Sequence, residues 1–402
     1  MFPTGVNENA KPAQRRIGVL AWILYACVGL LFLWSLLVFV SARTSWFWLL
    51  AILITEWGHY AGIIALILAA LSWRRGAAGR PIAVLAVITA ALCFSPAIRA
   101  AAINRSLPRR VTAAFGSLES VSARAQPFAW LDLFRGVASS GVEVTEHIYA
   151  QSGASALKLD LYRARDVTAS EPIILLVHGG SWNGGSKAQL PAFNRYLARE
   201  HYAVASMDYR HAPEFPFPAA VEDVFQAINF LKANAVALHL DPSRIILIGR
   251  SAGGQVALSA AYAGRDPAIR GVAAFYAPAD LVRGYEKPSR RWVLDSRKVL
   301  KDYLGGAPAE KPDLYAAASP INFVNATTPP TLLIHGNLDP MVWPEQSERL
   351  AARLKENGRP CFRLYLPWAT HGCDVNLSGP SGQLSLYAID RFVAYALHPT
   401  ME

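Results

Sequence analysis

The chain has 402 residues, enough for two or three folding units. It is 53% hydrophobic with a positive mean hydropathy, and its formal charge of +10 is lopsided. Residues 1–140 hold 13 Lys/Arg against 4 Asp/Glu, while residues 141–402 hold 26 against 25. The basicity therefore belongs to an apolar N-terminal part, where positive charge flanks membrane spans. The remainder has no basic patch interleaved with aromatics, which sets nucleic acid aside as a partner.

In chain order, an apolar run at 17–42 follows Lys11, Arg15 and Arg16. Its 26 residues would make about 39 Å of helix, enough to cross a bilayer with some tilt. A second run, 46–73, is bounded by tryptophans. Its Glu56 and His59 share a helix face at i, i+3 and read as pairing with each other or sitting where the helix leaves the lipid. Arg74, Arg75 and Arg80 precede a third run at 81–98. About three transmembrane helices are expected, forming a membrane anchor over 1–98. The charges ahead of the first span put the N-terminus in the cytoplasm, and three spans then put the C-terminal part on the outer or periplasmic side. Residues 99–140 read as a connector lying on the membrane or on the domain that follows.

From Gly141 onward, short β-branched runs alternate with helical patterns. Strands are expected at 142–150 and 157–162, as a hairpin, and at 173–177, 203–207, 245–249, 271–276, 331–334 and 361–366. Helices are expected at 191–200, 219–231, 254–262, 344–356 and 384–397. That alternation predicts an α/β domain over 141–402. Its eight-stranded, mostly parallel sheet would have helices on both faces, and sites would lie at the carboxyl ends of the strands. A segment at 282–324, with Arg290, Arg291, Trp292, Arg297, Lys298 and Tyr303, reads as a helical cap.

The chemistry gathers at those strand ends. Gly249-Arg250-Ser251-Ala252-Gly253 follows a strand and opens a helix, the context of a nucleophile elbow. A serine hydroxyl needs a base, and His371 follows the last strand; Asp339 follows the seventh and would orient the imidazole. Asp280 is the rival acid, and Asp374 is too near His371 in sequence to serve. His178-Gly179-Gly180-Ser181-Trp182 ends the third strand. The amides of Gly180 and Ser181, with that of Ala252, would form an oxyanion hole. Arg250 beside the serine would either favour an acidic substrate or be solvated. The four cysteines show no metal-ligand spacing; a Cys361–Cys373 disulfide is open to the sequence, though positions at either end of one strand should keep the two beyond bridging distance. No metal and no cofactor is expected.

With these motifs, together with Asp208-Tyr209-Arg210, Pro216-Phe217-Pro218 and His335-Gly336, residues 141–400 resemble α/β-hydrolases of the esterase/lipase group. The likeness is to the hormone-sensitive-lipase, carboxylesterase and kynurenine-formamidase-like branches. It implies a cofactor-free serine hydrolase cleaving carboxylic esters through an acyl-enzyme. The alternatives are an arylformamidase-type amidase and a catalytically inactive hydrolase-like binding protein. Ser181 stands where many relatives carry a third glycine. The implied partners are a small-molecule or lipid ester and a lipid bilayer; oligomeric state is not legible.

Overall fold

The computed structural model describes residues 19–116, 124–138, 140–152, 155–165, 167, 169–264 and 266–397. Lys11, Arg15 and Arg16, on which the orientation argument leans, lie outside the described residues, as do Gly153 of the hairpin turn and positions 117–123 of the connector. Among the described residues, three apolar helices come first: α1 (Val19–Ser35), α2 (Ser45–Trp73) and α3 (Arg80–Asn104). By length and composition α2 and α3, at 29 and 25 residues, can cross a membrane. The 17 described residues of α1 end where the chain tightens into a 3₁₀ turn at Leu36–Val38. Thr44 caps α2 by accepting the Phe47 N–H, and Pro81 opens α3 where no intrahelical donor is needed.

In α4 (Leu107–Phe115) the apolar residues Leu107, Val111 and Phe115 recur every four positions and are buried. Phe115 packs against Phe362, Phe392 and Tyr395, so this part of the connector lies on the sheet domain. The single turn α5 (Asp132–Arg135) follows.

Eight strands form one sheet: β1 (Val142–Ser152), β2 (Ser155–Ala164), β3 (Glu171–Val177), β4 (Ala203–Met207), β5 (Leu240–Arg250), β6 (Ile269–Phe275), β7 (Thr331–Gly336) and β8 (Cys361–Leu366). Their spatial order is β1-β2-β4-β3-β5-β6-β7-β8. Among the described residues, only the β1/β2 and β2/β4 pairs are antiparallel. The helices are α6 (Pro191–Arg199), α7 (Ala219–Ala233), α8 (Ala252–Ala263), the cap-segment helices α9 (Leu281–Glu286), α10 (Ser296–Leu304) and α11 (Pro312–Ala317), then α12 (Glu345–Glu356) and α13 (Pro380–Leu397). In β3 and β5 alternate residues point to opposite faces, yet Ile173 to Leu176 and Ile245 to Ile248 are all buried, because helices cover both sides. Ile173, Leu175, Ile245 and Leu247 join one core, whereas Ile174, Leu176, Ile246 and Ile248 join the other.

One expectation about the N-terminal helices needs correction. Glu56 and His59 do not pair. Glu56 is fully buried and faces the sheet domain, where it accepts from the Ser381 amide (3.1 Å) and hydroxyl (2.7 Å) at the start of α13. His59 instead packs edge-on against Phe134. Trp48, Ile52 and Glu56 recur every four residues on one face of α2, over about 12 Å of helix, and that face meets the sheet domain.

Candidate active site

The site begins with a backbone constraint. Chain leaving β5 must reverse into α8 at Ser251, which sits at φ 53°, ψ −122°, a strained conformation for a residue with a Cβ. The turn is possible because its flanks lack side chains. A Cβ at Gly253 would come within 2.1 Å of the His178 carbonyl, and one at Gly249 within 2.2 Å of the Gly253 carbonyl. Strand β3 and helix α8 can therefore approach backbone to backbone, and the serine hydroxyl is pushed out above the sheet.

His371, in the loop after β8, lies with Nε2 3.0 Å from Ser251 Oγ. Its Nδ1 donates to Asp339 Oδ2 at 2.7 Å. Asp339 is fully buried, and its other oxygen accepts the amides of Met341 (2.8 Å) and Val342 (2.9 Å). Burial opposes its ionisation. The adjacent His371, helped by hydrogen bonding from His335 and His371, outweighs that and holds the carboxyl at about 2. A permanent carboxylate on Nδ1 fixes the tautomer that leaves Nε2 free to accept the serine proton. The three residues come from three elements, 120 positions apart between Ser251 and His371.

Asp280 stands elsewhere: it caps α9 and pairs with Arg349. Asp374 accepts from Arg250 and from the Tyr276 hydroxyl (2.6 Å). Arg250 is thus neither solvated nor open to a substrate anion. It is 3% exposed, ion-paired, and stacked 4.4 Å over Phe193. The pair ties the residue before Ser251 to the loop that carries His371.

The β3 loop borders the serine. Gly180 has φ 132°, and a Cβ there would meet the Gly184 carbonyl at 2.1 Å. Ser181 (φ 55°) and Trp182 (φ 59°) continue in left-handed conformation. Among the described residues, no backbone or side-chain acceptor takes the Gly180 or Ser181 amide. Ala252 occupies the first position of α8, where an amide has no intrahelical partner. Gly179 N–H donates to Gln189 (2.9 Å). Burial pushes the His178 imidazole down to about 4, so it stays neutral, stacked on Tyr209 and donating to the Gly179 carbonyl. Trp182 stacks on Tyr303 of α10 and donates to Gln255, which also accepts from the Tyr303 hydroxyl. Gln189, Gln255 and Trp48, which the sequence did not single out, belong to this scaffold; a glutamine or tryptophan carries no motif that would mark it.

Two hollows meet at Ser251. The smaller, about 60 Å³, runs under the cap segment between Trp182, Ala252, Leu281, Val299 and Leu300. The larger, about 470 Å³, holds His371, Gly180 and Tyr276 on one side and Trp48, Leu49 and Ile52 of α2 on the other. Cys361 and Cys373 are free thiols. Among the described residues, no cluster of His, Cys, Asp and Glu has a metal-binding arrangement.

Comparison with known proteins agrees with this architecture. A family model described as BD-FAE matches residues 159–354. Esterase LipQ of Mycobacterium tuberculosis (strain ATCC 25618 / H37Rv) is 29% identical over 243 residues, 56% of this chain and 56% of that protein. The probable carboxylic ester hydrolase LipM of the same strain is 26% identical over 284 residues, 67% of this chain and 64% of that one. The solved structure of a bacterial heroin esterase superposes with a TM-score of 0.58 at 26% identity, covering 65% of this chain and 86% of its own. The match thus spans between about half and two thirds of the curated relatives. With the eight-stranded sheet, these likenesses identify the chain as an α/β-hydrolase. Within that superfamily its likeness is to proteins named as esterases and carboxylic ester hydrolases.

Proposed function

We propose that this protein is a membrane-anchored serine hydrolase that cleaves carboxylic esters. The observation that carries the reading is the continuous line of contacts from Ser251 Oγ through the His371 ring to Asp339, 3.0 and 2.7 Å long. The esterase names of its relatives support it. In the forward step Ser251 Oγ attacks the ester carbonyl carbon and its proton passes to His371 Nε2. The carbonyl oxygen, now anionic, is held by the amides of Gly180, Ser181 and Ala252. Collapse breaks the carbon–oxygen bond to the alcohol, which leaves with the proton from His371. Water then attacks the acyl-serine, gives a proton to His371, and the same proton returns to Ser251 as the acid departs. Asp339 stays ionised throughout and stabilises the imidazolium.

Helices α2 and α3 support anchoring in a bilayer, with the first apolar segment contributing to the same unit (residues 1–98) and residues 99–140 joining it to the hydrolase domain, 141–402. The test of the chemistry is direct. Ser251→Ala should lower hydrolysis of p-nitrophenyl acetate by about four orders of magnitude with the fold intact. Activity near that of the unaltered protein would remove Ser251 from the reaction.

A further inference from the structure

The two hollows at Ser251 are not equivalent, because only one of them contains the imidazole. His371 lines the larger hollow and not the smaller. The departing alcohol must receive its proton from His371 Nε2, so its oxygen lies within about 3 Å of that nitrogen and its carbon chain starts on the imidazole side. The acyl group then points into the hollow under the cap segment. That space is about 60 Å³, room for roughly four to six water-sized groups at about 10–15 Å³ each. The alcohol side has about 470 Å³.

The wall of the alcohol side is a candidate membrane helix. Trp48, Leu49 and Ile52 of α2 line it, and the Trp48 indole N–H donates to the His371 carbonyl at 2.9 Å. Leu49 lines the hollow yet is 44% exposed, so the hollow opens onto the apolar flank of α2, where Phe47, Leu50 and Leu53 are also exposed. The mouth is fixed from the other side by the cap segment. The Trp292 carbonyl accepts the Ser45 N–H at the start of α2, and Leu294 borders both hollows. Exposed Trp46 and Trp292 sit at this end, as aromatic side chains do at a membrane–water boundary. A water-soluble alcohol would gain nothing from such a wall; an apolar chain residing in the bilayer would pass along α2 and reach the serine without crossing water.

We propose that the substrates are short-acyl esters of long, lipophilic alcohols, with α2 forming the leaving-group subsite and admitting the alcohol chain from the bilayer. This rests on the triad proposed above. The test uses the full chain in detergent micelles and two series of esters: ethyl, hexyl and decyl acetate, and methyl acetate, hexanoate and decanoate. The expected result is that kcat/KM rises about tenfold or more from ethyl to decyl acetate, and falls by a similar factor from methyl acetate to methyl decanoate. Ile52→Trp, which fills the α2 side, should lower the decyl-to-ethyl ratio about tenfold. A preference for long acyl over long alcohol chains, no dependence on either length, or an unchanged ratio in Ile52→Trp would overturn the proposal while leaving the triad intact. Absence of Ser251-dependent hydrolysis across all six esters would overturn both.

Discussion

At the residue scale, the site turns on which proton each group holds. Asp339 is buried without becoming protonated, since the adjacent His371, with hydrogen bonding from His335 and His371, favours its charged form. Its folded value of about 2 lies below the ordinary 3.8, so the stability it contributes is present above about pH 4 and is lost as pH falls through 2. The rate profile should therefore show no inflection from Asp339 above pH 3. Asp339→Asn should keep the fold but turn the imidazole to the wrong tautomer, lowering kcat by about 10⁴. A loss of tenfold or less, measured on p-nitrophenyl acetate, would show that another group orients the ring. Ser251, His371 and Asp339 were legible in the sequence because each follows a strand in a short motif. The destination of Arg250 was not. A cation beside a nucleophile looks like a substrate contact until the fold brings Asp374 to it from 124 positions away.

At the scale of elements, the Arg250–Asp374 pair holds the end of β5 to the loop after β8, and both partners are almost wholly buried. Breaking such a pair leaves one uncompensated charge inside, whereas replacing both removes the cost of desolvation. Arg250→Met alone should destabilise by about 3–5 kcal/mol in denaturant unfolding, and adding Asp374→Leu should restore most of that. Equal stability of the single and double variants would show that the pair does not carry the contact between the two elements. The strands and helices of this domain were legible because β-branched runs and helical patterns alternate cleanly from 142 to 397. The eight expected strands are the eight found, with ends shifted by up to five residues. What periodicity could not give is spatial order: β3 lies inside β4, so the glycine loop after β3 neighbours the serine after β5.

For the whole molecule, the apolar N-terminal part packs against the α/β-hydrolase domain. Composition and charge marked 1–98 as membrane-like, but hydropathy treats every face of a helix alike. It could not show that Glu56 is bonded to Ser381 at the start of α13, or that Trp48 holds the carbonyl of His371. These are contacts over more than 320 residues, written in single polar atoms rather than in any pattern. They explain why an ionisable residue sits in an apolar helix: the carboxyl faces the neighbouring domain and is hydrogen-bonded there. They also account for where the cleft opens. The central claim remains the chemistry at Ser251, and its most direct measurement is active-site titration of the full chain with a p-nitrophenyl phosphonate ester. The account expects one equivalent of p-nitrophenolate released per chain, with the phosphonyl adduct mapped by mass spectrometry to Ser251 and absent from Ser251→Ala. An adduct on any other residue, or no burst from a folded protein, would contradict it.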